Sequence, residues 1–209
     1  MSLKLFYSPG ACSLAPHIVL EEIGTEWEPV RVSLKEGAQR RPEYLAINPK
    51  GRVPALATER GVLTENPAIL AYLAQAFPEA GLAPVNDPFA FAQVNSFNCW
   101  ISSSLHPAFA HAFRPERFGE GEEAARAMRA RAPVAVAEYL QFAEDKLQSG
   151  GWLHGAYTTS DPYLFVLAGW APRLQVDLAP FPKLRDHRER MLQRPAVQAA
   201  LAREESPPA

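Results

Sequence analysis

Cys12 is the residue best placed for covalent chemistry in this chain, because it follows a Ser8-Pro9-Gly10 break and precedes a helical pattern. A helix mouth offers unpaired N–H groups and the positive end of the helix dipole, and both favour a thiolate over a thiol. Only the thiolate is a strong nucleophile. A buried structural cysteine is the competing reading, and local sequence leaves both open. Ser13 offers either a second hydrogen-bond donor or a helix cap, and these roles are compatible.

Two further constellations lie downstream. Arg52-Val53-Pro54 opens a hairpin pattern, and a cis proline there would expose the backbone of Val53 as an edge for an extended peptide. The alternative is an ordinary trans proline at a strand edge, the commoner form. Glu65-Asn66 precedes another helix, so it can offer a carboxylate to an ammonium group beside unpaired N–H donors for a carboxylate, or serve simply as a capping pair. An amino-acid head group needs both features.

The elements that must position these residues are legible as a pattern. Residues 3–8 read as a buried strand, 13–24 as a helix stopped by Gly24, and 27–34 as a second strand, which together make a βαβ unit. A polar stretch and the short segment 43–47 follow. Apolar runs at 53–57 and 62–63 flank Glu59-Arg60-Gly61 as a hairpin, and a helix runs from about Glu65 to Pro78. Residues 79–88 are rich in Pro, Gly and Asn and read as a linker. Helical patterns then occupy 89–113, 122–148, 161–170 and 184–194, with Pro107 and Pro133 expected to bend or divide two of them. The expected architecture is an α/β domain over 1–78 and an all-helical domain over 89–209.

Composition narrows the function classes. With 21 basic against 23 acidic residues the net charge is -2, which gives no overall electrostatic footprint for nucleic acid or an anionic membrane. No apolar stretch is long enough to cross a bilayer, and the opening is too short in apolar residues for a signal peptide. Two cysteines, Cys12 and Cys99, fit a reducing cytoplasm better than a disulfide framework. His106 and His111 have poor metal-ligand spacing, so no metal is expected. His17 reads as a helix-packing residue. Thr158 to Asp161 resembles a capping box.

Residues 6–18 (FYSPGACSLAPHI) closely resemble the opening of bacterial beta-class glutathione transferases. Residues 44–56 (YLAINPKGRVPAL) are similar to that family's approach to its cis proline, and 63–70 (LTENPAIL) to its γ-glutamyl site. The resemblance continues through 101–106 (ISSSLH) and 158–165 (TTSDPYLF) and so spans nearly the whole chain. It implies a thioredoxin-like domain followed by a helical bundle, with glutathione as co-substrate and a homodimeric assembly.

It also implies roles. Cys12, Ser13 and His106 would act on the glutathione sulfur. Val53, flanked by Arg52 and Pro54, would pair with the cysteinyl backbone, Glu65 and Asn66 would hold the γ-glutamyl head, and Lys35 would reach the glycyl end. Cys99 and Ser103 would lie near the tripeptide. The second substrate would be a small hydrophobic electrophile, in a cleft lined by Phe113 and Trp170. The chain departs from the usual pattern at Asn66, where relatives often carry Ser or Gly, at Cys99, where they often carry Asn, and at Ser104, where many carry Glu. Conjugation and thiol–disulfide exchange are both expected, with exchange the more pronounced. A glutathione-dependent isomerase or dehalogenase on the same scaffold, or a noncatalytic glutathione-binding protein, are the alternatives.

Overall fold

The computed structural model describes residues 2–205, so residues 206–209 of the expected helical domain lie outside it, as does Met1. The N-terminal part is built on a four-stranded sheet in the order β2-β1-β3-β4. Strand β1 (Lys4–Tyr7) pairs in parallel with β2 (Glu28–Arg31) and antiparallel with β3 (Ala55–Thr58), which forms a hairpin with β4 (Gly61–Thr64). Successive residues of β1 point to opposite faces. Leu5 and Tyr7 join the main core, and Phe6 joins a smaller one with Val32, Tyr44, Val53 and Ala55 on the other side.

Helix α1 (Leu14–Ile23) crosses between β1 and β2, as a parallel pair requires, and stops at Gly24 in the left-handed conformation, whose N–H bonds back to Leu20 C=O. Every residue from Leu14 to Leu20 is buried. A surface helix would show one polar face; α1 is instead enclosed by the sheet, by α3 (Asn66–Ala76) and by two helices of the second domain. The short α2 (Pro42–Leu45) carries Tyr44, whose hydroxyl donates to Arg52 C=O at 2.6 Å. Asn48 Nδ2 donates to the same oxygen at 2.7 Å, so the segment before Pro54 is tied down twice.

Beyond β4 no strand occurs among the described residues. Helix α4 (Pro88–Trp100) begins at Asp87, whose side chain accepts from Phe89 and Ala90 N–H, and continues through a π-turn (Ile101–Leu105) into α5 (His106–Phe113). The turn has a local cause: Pro107 cannot donate to Ser103 C=O, and His106 N–H bonds to Ile101 C=O instead of to the residue four back. Pro107 therefore divides the helix as expected. Pro133, by contrast, leaves α6 (Glu122–Lys146) a single helix.

Helices α7 (Ser160–Ala168) and α8 (Pro182–Leu192) follow. The helical reading of the sequence stops at residue 194, but the structure adds α9 (Pro195–Glu205), with Pro at its first turn and Val197, Ala200 and Glu204 buried. Helices α7 and α9 pack on α1, so one apolar core runs through both parts of the chain. The fold is a thioredoxin-like sheet with helices, followed by an all-helical domain.

Candidate active site

The loop between β1 and α1 is fixed from three directions. Ser13 is fully buried, and its hydroxyl donates to Ser8 C=O at 3.2 Å while accepting from Ser8 N–H at 3.1 Å. Its single proton is therefore committed to the loop, and the expected role as a sulfur donor gives way to that of a brace. The helical domain holds Gly10 at both ends of its backbone. Its N–H donates to Glu204 Oε2 of α9 at 2.7 Å, and its C=O accepts from Trp170 Nε1 at 3.1 Å. Gly10 has φ +67°, a conformation that favours glycine.

Cys12 lies at the floor of this loop, 9% exposed. Its Sγ is 3.6 Å from Val53 C=O, with geometry in which the thiol donates. Burial, the largest influence, pushes the Cys12 thiol up to about 12, although nearby backbone and the Asn66 amide pull in the other direction. Desolvation therefore opposes the thiolate that the helix terminus favours. The local dipole favours the charge, but desolvation outweighs it, and Cys12 is a neutral hydrogen-bond donor at pH 7.

Asn66, the first residue of α3, is buried and reaches across to donate from Nδ2 to Cys12 C=O at 3.0 Å. Its Oδ1 has no partner among the described residues, an uncompensated buried acceptor aimed at the same region. Glu65 occupies the N-cap position of α3 but makes no side-chain cap hydrogen bond there. Its carboxylate meets Lys50 Nζ at 2.7 Å, and its backbone takes φ 74°, ψ 127°, a sparsely populated conformation for a residue with a Cβ. Such backbone strain concentrates at binding sites. The Val53–Pro54 bond is cis.

His106 comes to this region from the second domain. Its ring lies 5.3 Å from that of Trp170, which in turn meets Phe109 and Phe113 edge-on at 5.6 and 6.1 Å. Burial first, then the positive charges of Arg52 and Arg117, lower the His106 imidazole to about 4. It is neutral at physiological pH and can donate or accept a proton in a hydrogen bond without carrying charge. Tyr163 of α7 is buried below Asn66, and burial followed by the neighbouring Cys12 sulfur keeps its phenol protonated.

Lys35, Arg52, Cys99 and Ser103 are exposed. Glu204 and Tyr163 are the residues of this site that sequence reasoning missed. The signal for Glu204 would have been the apolar spacing after Pro195; Tyr163 sits within a recognised motif but in a run of nine buried residues, where no one position stands out. His17 also differs from a simple packing residue. It is fully buried, 3.6 Å from Glu204 Oε1 and 3.7 Å from Glu21 Oε1, and neither ring nitrogen has a hydrogen-bond partner among the described residues. Among the described residues no group of three or more His, Cys, Asp or Glu could hold a metal.

A buried cysteine thus lies beside a cis proline, next to a four-stranded sheet that helices of the second domain cover. Residues 1–75 match the model of the glutathione S-transferase N-terminal domain and residues 101–195 that of its C-terminal domain. The chain belongs to the glutathione S-transferase family. It is 38% identical to glutathione S-transferase GstA of Escherichia coli O157:H7 over 97% of this chain and 98% of that protein. Among solved structures, a glutathione transferase homologue from Sulfitobacter with bound glutathione superimposes with a TM-score of 0.92 at 38% identity, over 97% of this chain and 98% of the other. The bacterial beta-class enzyme of Sphingomonas chungbukensis gives 0.85 at 38% identity with the same coverage.

Proposed function

We propose that this glutathione S-transferase binds glutathione extended along Val53, with the γ-glutamyl head at Glu65 and the start of α3 and the glycyl end toward Lys35. Arg52, Pro54, Cys99 and Ser103 border the tripeptide. Its thiol lies beside Cys12. The observation that carries this reading is the Cys12 Sγ to Val53 C=O contact, because it brings a sulfur and an extended backbone edge together next to the unsatisfied Asn66 Oδ1.

The chemistry follows from protonation. A Cys12 that holds its proton donates to the glutathione sulfur and favours its thiolate, which attacks an electrophilic carbon as the leaving group departs. Neutral His106 supplies a second polar contact from the opposite wall. With oxidised glutathione or a mixed disulfide, the Cys12 sulfur itself attacks, forming one S–S bond while breaking another and releasing a thiolate. Asn66 and Tyr163 act through Cys12 and hold it in place. Isothermal calorimetry is the test: glutathione binds with one site per chain, and Glu65→Ala weakens it at least about tenfold, the cost of an unpaired head-group ammonium. Unchanged affinity in that variant would remove Glu65 from the site.

We further place the chain in the cytoplasm as a homodimer. Both cysteines are free, which fits a reducing compartment, and among the described residues no helix is long and apolar enough to cross a membrane. Val62, Phe89, Val134 and Phe142 are large, apolar and exposed, as residues covered by a second copy would be. Light scattering is expected to give twice the monomer mass, and a monomer mass at micromolar concentration would overturn the assembly.

A further inference from the structure

The carboxylate assigned to the tripeptide's ammonium group already holds an ammonium group of the chain itself. Lys50 Nζ lies 2.7 Å from Glu65 Oε1 and 2.9 Å from Thr64 Oγ1, where β4 gives way to α3. One primary ammonium thus donates to a carboxylate and to a hydroxyl at once. The γ-glutamyl head of glutathione carries the same group, with the same charge and the same three donors. Two such cations on one carboxylate repel each other, so they compete for it.

The backbone that presents Lys50 is fixed. Its N–H donates to Asn48 Oδ1 at 3.2 Å, Gly51 N–H donates to Asn48 C=O at 2.9 Å, and Asn48 Nδ2 holds Arg52 C=O beyond them. Gly51 has φ +59° and is packed so closely that an added Cβ would lie 2.9 Å from Arg40 Nη1 and 3.0 Å from Gln39 C=O. The turn therefore stays in place, and only the Lys50 side chain is free to leave. With the Lys50 side chain 51% exposed and that of Glu65 55% exposed, their ion pair stands in water. Such a pair is weak, because solvent screens it and two long side chains give up rotamer freedom to make it. Glu65 does not need Lys50 for its orientation. Its C=O accepts from Ile69 N–H at 3.0 Å as α3 begins, and its backbone at φ 74°, ψ 127° sets the direction in which the side chain leaves.

We infer that Lys50 is an internal competitor for the γ-glutamyl ammonium: its Nζ occupies the ammonium position on Glu65 and Thr64, and glutathione binds by exchanging it out to solvent. The inference rests on the tripeptide orientation proposed above. It adds Thr64 as an acceptor for the head group and makes Lys50 a residue that sets how strongly the chain prefers a free amino group. A ligand without the ammonium leaves the Lys50 pair intact and gains nothing from Glu65. A ligand with it must outweigh the pair that it breaks.

The test compares the wild-type protein with Lys50→Met, which removes the charge from a stem of similar length, and with Lys50→Arg, which keeps a cation. Each is titrated with glutathione and with glutaryl-cysteinylglycine, the same tripeptide lacking its amino group. Both affinities are taken by displacement of S-hexylglutathione, whose own affinity is measured for each variant, so that a weak ligand still yields a constant. Lys50→Met also withdraws a positive charge from the carboxylates of both ligands, which moves the two affinities together; their ratio isolates the ammonium. The preference for glutathione is expected to rise about two- to fivefold in Lys50→Met, the range that exposed ion pairs reach, and to stay at the wild-type value in Lys50→Arg. An unchanged or lower ratio in Lys50→Met overturns the inference, as does an equal rise in both variants. The orientation is judged separately with Glu65→Ala: a ratio there equal to the wild-type value would place the head group elsewhere, and the orientation would fall together with the inference. Absence of binding by any of these tripeptides would remove the glutathione reading itself.

Discussion

Replacing Cys12 with serine is expected to lower kcat/KM for a mixed-disulfide substrate at least about 100-fold and to leave conjugation of a chloronitroarene within about threefold. The two reactions ask different things of the same atom. Conjugation needs a donor next to the glutathione sulfur, and a hydroxyl donates at least as well as a thiol. Exchange needs a sulfur electron pair, which serine lacks. Because burial pushes the Cys12 thiol up to about 12, its thiolate is scarce near neutrality. The exchange rate of the wild-type protein should therefore rise roughly tenfold per pH unit between about pH 7 and 9, since each unit toward the pKa multiplies the thiolate fraction by that factor. Parallel steady-state assays of both reactions check this. Equal losses would mean that the Cys12 sulfur attacks in both reactions, and no loss in either would remove it from the mechanism.

Asp161→Ala is expected to cost about 3–5 kcal/mol, because it leaves a buried histidine, a hydroxyl and two backbone donors without their acceptor. Asp161 is fully buried. Its Oδ2 accepts from Thr158 N–H at 2.8 Å and from the Thr158 hydroxyl, and its Oδ1 accepts from Leu153 N–H at 3.2 Å and lies 3.1 Å from His187 Nε2. Thr158 Oγ1 in turn accepts from Ser160 N–H, so the capping box suggested by the sequence is formed and extended by two distant partners. For a chain of this size the loss corresponds to a fall in Tm of roughly 10 °C, since each kcal/mol is worth about 2–4 °C. Thermal unfolding by circular dichroism measures it. A shift of only a degree or two would show that the network is not what anchors α7 beneath the active-site loop.

Much of the fold could be read from local pattern. The Ser8-Pro9-Gly10 break, the Gly24 stop and the turn around Gly61 each leave a chemical mark in the chain, and all bound elements of the observed sheet layer. Helix α9 is hidden by Arg194-Pro195 and by a polar tail, although its buried face of Val197, Ala200 and Glu204 has helical spacing. The proximity of Cys12, Val53, Asn66 and His106 comes from family resemblance, because no periodicity relates residues so far apart. What stays invisible is tertiary. The bond from Gly10 to Glu204 spans nearly the whole chain, and the strained backbone of Glu65 has no signature in a residue type that rarely adopts it. The protonation of Cys12 departs from the sequence expectation for the same reason. A helix terminus can be seen in sequence, whereas the enclosure that overrides its dipole is made by the sheet and the second domain together.

Glutathione chemistry in this chain depends on where the tripeptide sulfur sits relative to Cys12, and a crystal structure with reduced glutathione measures it directly. The expected result is a glutathione sulfur within about 4 Å of Cys12 Sγ, with the tripeptide backbone paired to Val53 and its head group at Glu65. A tripeptide bound elsewhere, with Cys12 still donating to Val53 and no ligand atom in contact with it, would contradict the account.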